Sequence, residues 1–176
     1  MPILIVLIGA AITTYVWMNR AKPGADVAGD IFEAAGDVKN AARRFGFRRR
    51  ANQHPVEGID DPKLAIGGLA VAFLEMDDLP TSDARARMDM SLRKHLGLDA
   101  ATAQEMTVLG RWFVEECRGP VQAFPRLAKK LYRLDGASYF NDLMAVLTDI
   151  TLISDGGPST RQSEVLSDLA RIFRLK

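Results

Sequence analysis

Cysteine is nearly absent from this 176-residue chain, and that single fact removes several classes of protein at once. With Cys117 alone, no intramolecular disulfide can form, and neither a disulfide framework nor a cysteine-rich zinc site can be built. Its position on an apolar helical face predicts a core residue. Histidine is almost as scarce: His54 and His95 stand in unlike contexts, and neither is near Cys117 in sequence. No Gly-x-Ser-x-Gly elbow and no glycine-rich phosphate loop occurs. Paired carboxylates such as Glu115–Glu116 are what any solvated helix face carries. The expectation is a protein that is not an enzyme. Strand-like alternation of useful length is missing too, so the fold class expected is all-α.

Charge is missing where it matters most. Residues 2–18, PILIVLIGAAITTYVWM, carry none, and the first ionised side chains are Arg20 and Lys22. A membrane span needs roughly 17–25 apolar residues, and Tyr15 and Trp17 fall where an interfacial aromatic belt would lie. Residues 1–20 therefore read as a transmembrane anchor. A cleaved signal peptide, which would release an exported soluble helical domain, is the alternative. Against it, no basic residue precedes the run and no small-x-small site clearly follows it before Arg20. Residues 1–59 hold eight Lys/Arg against five Asp/Glu, all the bases lying after the apolar run. By the positive-inside rule this orients the rest of the chain into the cytoplasm, as a single-pass protein of the inner membrane.

Residues 21–59 read as an amphipathic basic juxtamembrane helix and a linker. Val27, Ile31, Ala34, Val38, Ala41 and Phe45 alternate at spacings of four and three, with acids early and bases late, the order that suits a helix macrodipole. Arg43, Arg44, Arg48, Arg49 and Arg50 form a cluster that can meet anionic lipid headgroups, each charge adding about 1 kcal/mol near the surface. A nucleic-acid partner is not expected, because the cluster is short and only Phe45 and Phe47 accompany it. Ala51 to Ile59 read as linker, with His54–Pro55 part of it.

Residues 60–176 read as a helical domain. Asp61–Pro62 open a first helix to about Met76; Thr81 opens a second ending at Gly97; Asp99 caps a third to about Cys117. A fourth, Val121 to Leu134, contains Pro125, which predicts a kink or a restart there. The last pair covers Ser138 to Ile153 and Ser159 to Leu175, with Ser159 and Gln162 at capping-box spacing. Within this domain a motif is written twice: Asp77–Asp78–Leu79–Pro80–Thr81 and Asp155–Gly156–Gly157–Pro158–Ser159. Ile66, Leu69, Leu74 and Met88 match Met144, Leu147, Leu152 and Leu166 at the same offset of 78 residues. The expected architecture is a bundle of two related helical-hairpin halves, with hairpins 63–96 and 139–174 alike.

These residues, above all LMAVLTDITLISDGGPSTRQSEVLSDLARIFRL, resemble the tellurite-resistance TerB-like domain over about 60–176. The layout of span, tether and domain is similar to the N-terminal part of membrane-anchored DnaJ-like co-chaperones, without a J domain: His54–Pro55 is followed by Val56, not the aspartate of His-Pro-Asp. The resemblance implies a role linked to envelope stress or tellurite-type resistance, and a divalent metal ion (calcium, zinc or magnesium) held by acids of the two turns. Asp77, Asp78, Asp83 and Asp155 are the candidate ligands. Ala84 and Gln162 stand where the resemblance expects glutamates, which predicts weak or absent binding, since a hard cation needs at least six oxygens. The other reading of these aspartates is that each satisfies backbone N–H groups of its turn. The leading expectation is thus a membrane-tethered cytoplasmic protein-interaction module whose partners are a protein and the lipid surface. The alternative is a metal-responsive sensor.

Overall fold

The structure, a computed structural model, describes residues 38, 40–45, 47, 52–76, 80–152 and 157–174, which belong to one packed unit, Val38–Lys176. The apolar run 2–18, the stripe residues Val27, Ile31 and Ala34, the arginines Arg48, Arg49 and Arg50, and Asp77, Asp78 and Asp155 lie outside the described residues. Among those described, no helix is long and apolar enough to cross a membrane. All regular structure among them is helical: α1 (Pro62–Leu74), α2 (Ser82–Leu96), α3 (Ala100–Glu116), α4 (Pro120–Asp135), α5 (Phe140–Thr151) and α6 (Thr160–Ile172), preceded by a 3-10 turn, Pro55–Gly58.

Helix α1, PKLAIGGLAVAFL, has no polar face, and every residue from Leu64 to Phe73 is buried. A helix apolar all round must be covered on all sides. Here α3 and α4 supply most of the cover, with α2 and α5 completing it. Asp61 starts it by accepting from the Lys63 amide at 2.8 Å, and Pro62 occupies the first turn, where its missing N–H is harmless. Glycine makes the α1–α3 crossing close. A Cβ on Gly110 would lie 2.9 Å from Val71 Cγ2, 3.2 Å from the Gly67 carbonyl oxygen and 3.3 Å from Gly68 Cα. A Cβ on Gly67 would meet Met106 Cγ at 2.2 Å.

The remaining helices bury one stripe each. In α2 the stripe is Ala84, Met88, Ser91, Leu92 and Leu96; Thr81 caps the start by accepting from the Ala84 amide at 3.2 Å, and Gly97, at φ 64°, ends it in the left-handed conformation. Lys63 Nζ donates to the Leu96 carbonyl at 2.8 Å and so ties the α2 C-terminus to α1. In α3, Asp99 Oδ1 accepts from the Thr102 amide at 2.7 Å. Of the kink or restart expected at Pro125, the restart does not occur: helix α4 runs unbroken through it. Five residues after Pro120, a proline removes only one intrahelical hydrogen bond, to the Val121 carbonyl, and the packing of Phe124, Leu127, Ala128 and Leu131 holds the helix together. Ser159 caps α6 with both bonds of a capping box: its Oγ accepts from the Gln162 amide at 3.1 Å, and Gln162 Oε1 accepts from the Ser159 amide at 3.0 Å. The same Gln162 side chain donates to the Phe73 carbonyl at 3.1 Å, joining the start of α6 to the end of α1.

The packed unit begins well before residue 60. Ala41, Val56 and Ile59 are fully buried, and Val38, Ala42, Phe45 and Phe47 pack on the core. Phe47 meets Trp112 and Phe113 edge to face, with centroids 5.6 and 5.4 Å apart. The stretch expected as linker is a fastened turn. Its Glu57 carboxylate accepts from Arg133 at 2.7 Å and faces Arg126 at 3.6 Å, and its Glu57 carbonyl accepts from Lys130 Nζ at 2.8 Å. Polarity and the Pro and Gly of this stretch suggest a loop, but Val56 and Ile59 have an apolar surface to fill, and that decides its place.

Alanine at two of the buried helical glycines separates close packing from mere burial. Gly110→Ala meets backbone on α1 and is expected to destabilise by about 1–3 kcal/mol. At Gly68 a Cβ meets only the tip of Leu127 at 3.2 Å, and better helix propensity offsets the crowding, so chemical denaturation should find Gly68→Ala near neutral. Ser159→Ala is expected to cost about 0.5–2 kcal/mol in the same assay. Equal effects of Gly110→Ala and Gly68→Ala would show that the crossing is not limited by backbone contact.

Candidate functional site

Ser91 is the buried polar residue of the described core, 3% exposed, and a buried hydroxyl needs a partner. It finds one across the α2–α5 interface: Ser91 Oγ donates to Asp149 Oδ2 at 3.0 Å. The same oxygen accepts from His95 Nε2 at 2.9 Å and lies 3.5 Å from Lys94 Nζ. Ser91, Lys94 and His95 share a face because they are three and four residues apart on α2, and Asp149 reaches them from the last turn of α5. The His95 hydrogen bond holds the Asp149 carboxyl below the ordinary aspartate range; Ser91 and Lys94 act in the same direction, and burial opposes them.

An open groove of about 310 Å³ lies over this cluster, lined by Arg87, Met90, Ser91, Lys94, Asp149 and Leu152. Met90 and Leu152 are 65% and 70% exposed, and both large apolar side chains face this one groove. Arg87 stands exposed at one end and makes no ion pair with a described residue. Although serine, histidine and aspartate meet here, the order is wrong for nucleophilic catalysis. A hydrolytic triad places histidine between serine and acid so that the ring can take the serine proton. Here Asp149 is in the middle, the Ser91 hydroxyl spends its proton on the carboxylate, and His95 donates from the nitrogen that would have to accept.

The fold also brings together a cysteine and a histidine that sequence spacing kept apart. Cys117 Sγ is 3.8 Å from His54 Nε2, and the two are 63 residues apart. His54 Nδ1 accepts from the Val56 amide at 3.3 Å, so the proton resides on Nε2, which points to the Glu116 carbonyl at 3.2 Å. A ring already protonated on the side of the sulfur cannot draw its proton, and burial pushes the Cys117 thiol above its ordinary value. The pair fastens the 3-10 turn to the end of α3.

Of the acids expected to hold a metal, Asp83 is described: it is exposed in the first turn of α2. Asp77, Asp78 and Asp155 lie outside the described residues, and among those described no group of three or more His, Cys, Asp or Glu side chains is placed to hold an ion. Of the basic cluster, Arg43 is exposed, while Arg44 pairs with Glu105 at 3.2 Å and donates to Thr102 Oγ1 at 3.2 Å, which fastens the segment 40–45 to α3. The groove had little signal in the sequence. Met90 stands off the α2 stripe two residues after Met88, and Leu152 matched Leu74 in the repeat, yet Leu74 packs against the core and Leu152 faces solvent. No family model, curated protein or solved structure matches the chain.

The Asp149 cluster has a signed pH dependence. A carboxyl that titrates lower when folded adds stability fully present above the ordinary aspartate range of about 4 and lost as pH falls through the folded value. Asp149→Asn should therefore be less stable than the parent near neutrality, with the gap closing below about pH 4 in urea titrations. A gap that stays constant down to about pH 3 would remove the linkage. Separately, Cys117 is expected to react with iodoacetamide far more slowly in the folded chain than in urea, without acceleration near neutral pH.

Proposed function

We propose that the chain is a non-catalytic protein-interaction module, tethered to the inner membrane by residues 1–20 with its helical domain in the cytoplasm, and that the α2–α5 groove is its contact surface. The observation that carries this reading is the gathering of Met90 and Leu152, both largely exposed, into one groove flanked by Arg87 and Lys94. Exposed apolar groups collected in a concave, polar-rimmed site mark a binding surface, where the same residues scattered singly would mean nothing. The two places where catalytic residue types meet, Ser91–His95–Asp149 and His54–Cys117, have their protons committed to structural hydrogen bonds, which favours binding over chemistry.

The apolar run and the bases that follow it support the tether and its orientation. The resemblance to the TerB-like domain supports a helical binding module made of two related halves, and the equivalent caps at Thr81 and Ser159 agree with that reading. The expectation that hairpins 63–96 and 139–174 are alike does not extend to their packing: α2 lies chiefly on α5, whereas α6 lies chiefly on α4. A groove formed once, where α2 of the first half meets α5 of the second, suits a single partner better than a duplicated site would.

A photo-reactive amino acid at position 90, in chain produced in its native membrane, should form an adduct with another polypeptide on irradiation. The same group at position 129, exposed on α4, should not. Proteases applied to the outer side of intact membranes should leave the C-terminal domain whole. Adducts of equal yield from both positions, or digestion from outside, would overturn the module or its topology respectively.

A further inference from the structure

Resting on the reading of the groove as a contact surface, we infer that its ligand is an acidic amphipathic helix of a partner protein, whose apolar side chains seat between Met90 and Leu152 and whose carboxylates pair with Arg87 and Lys94. Arg87, Met90 and Lys94 fall at intervals of three and four along α2, so they form one exposed line on the helix, with the buried Ser91 beside it. Arg87 and Lys94 are seven residues apart, about 10 Å along the axis, which is two helical turns. A ligand helix lying along this line presents side chains with the same repeat, so carboxylates two turns apart can meet both cations while the residues between them face Met90 and Leu152.

Charge decides the sign of the ligand. The negative group in the groove, Asp149, is already answered by Ser91, His95 and Lys94. Arg87 has no described acidic partner, and Lys94 remains 67% exposed at a contact of 3.5 Å. Helix α2 as a whole carries Arg85, Arg87, Arg93 and Lys94 against Asp83 and Asp89, so its field attracts an acid-rich segment and repels a basic one. A peptide suits the groove better than a bilayer surface, because Met90 and Leu152 line a concavity, which an amphipathic helix can enter and a flat bilayer surface cannot.

The test uses the full chain in a zwitterionic detergent and a fluorescent synthetic helix of about four turns, with leucines at i, i+3, i+4 spacing flanked by glutamates. Anisotropy should report saturable binding that weakens as salt rises, because exposed ion pairs are screened. Arg87→Glu, Met90→Ser and Leu152→Ser should each raise Kd at least about fivefold, the effect of a side chain that matters at an interface. These side chains are exposed, so the variants are expected to fold; Lys129→Glu, on α4, should leave Kd unchanged. Several results would overturn the inference: equal binding of a peptide with lysines in place of the glutamates, indifference to all three groove variants, or a Met90-dependent dimer that the peptide does not displace. Binding of phosphatidylglycerol vesicles that depends on Arg87 and Met90, with no peptide binding, would also overturn it. An adduct at position 90 combined with charge-blind peptide binding leaves the module reading standing and removes this inference alone.

Discussion

The architecture depends on the burial of α1 from every direction. Ten consecutive residues, Leu64 to Phe73, are out of solvent, and each fully buried Leu, Ile or Phe among them contributes about 1.5–3 kcal/mol of transfer free energy. A helix that apolar cannot lie at a surface, so the others must surround it, and the closest of them must approach to backbone contact. Gly67 and Gly110 permit that approach between α1 and α3. Their lack of side chains costs helix propensity, and the contact of Val71 with Gly110 and of Met106 with Gly67 replaces it with packing.

Once α1 fills the centre, each outer helix needs only one apolar stripe, and its other faces are open to different uses. Helix α4 uses its outer basic residues to hold the turn before α1, through Glu57. Helix α2 packs on α5, and between them the hydroxyl of Ser91 and the ring of His95 share the carboxylate of Asp149. This polar join fixes how the two helices sit side by side. The groove above it takes its apolar lining from Met90, which lies off the buried stripe of α2, and from Leu152, which follows the last residue of α5.

Helix ends are secured by side chains from elsewhere as well as by their own caps. Lys63 answers the last carbonyls of α2, Gln162 answers Phe73 at the end of α1, and His54 answers Glu116 at the end of α3. Each bond reaches a carbonyl in the last turn of a helix and ties together two elements distant in sequence. Reactive residue types are thereby drawn into structural service, as the protonation of His54 beside Cys117 illustrates.

Local chemistry made much of this legible from residues alone. Asp61, Thr81, Asp99 and Ser159 act as the caps their side chains predict, and the glycine after α2 adopts the left-handed turn, because these are contacts within a few residues. The all-helical class follows from periodicity for the same reason. What spacing along the chain could not show is which stripes would face one another. The place of Val56 and Ile59 in the core, the meeting of His54 with Cys117 across 63 residues, and that of Ser91 with Asp149 across 58 all depend on the mutual packing of helices. The same holds for Leu152: an apolar residue at a repeat position reads as core, and only the tertiary structure decided that it is left in the open at the groove, because what covers a side chain depends on how the helices pack.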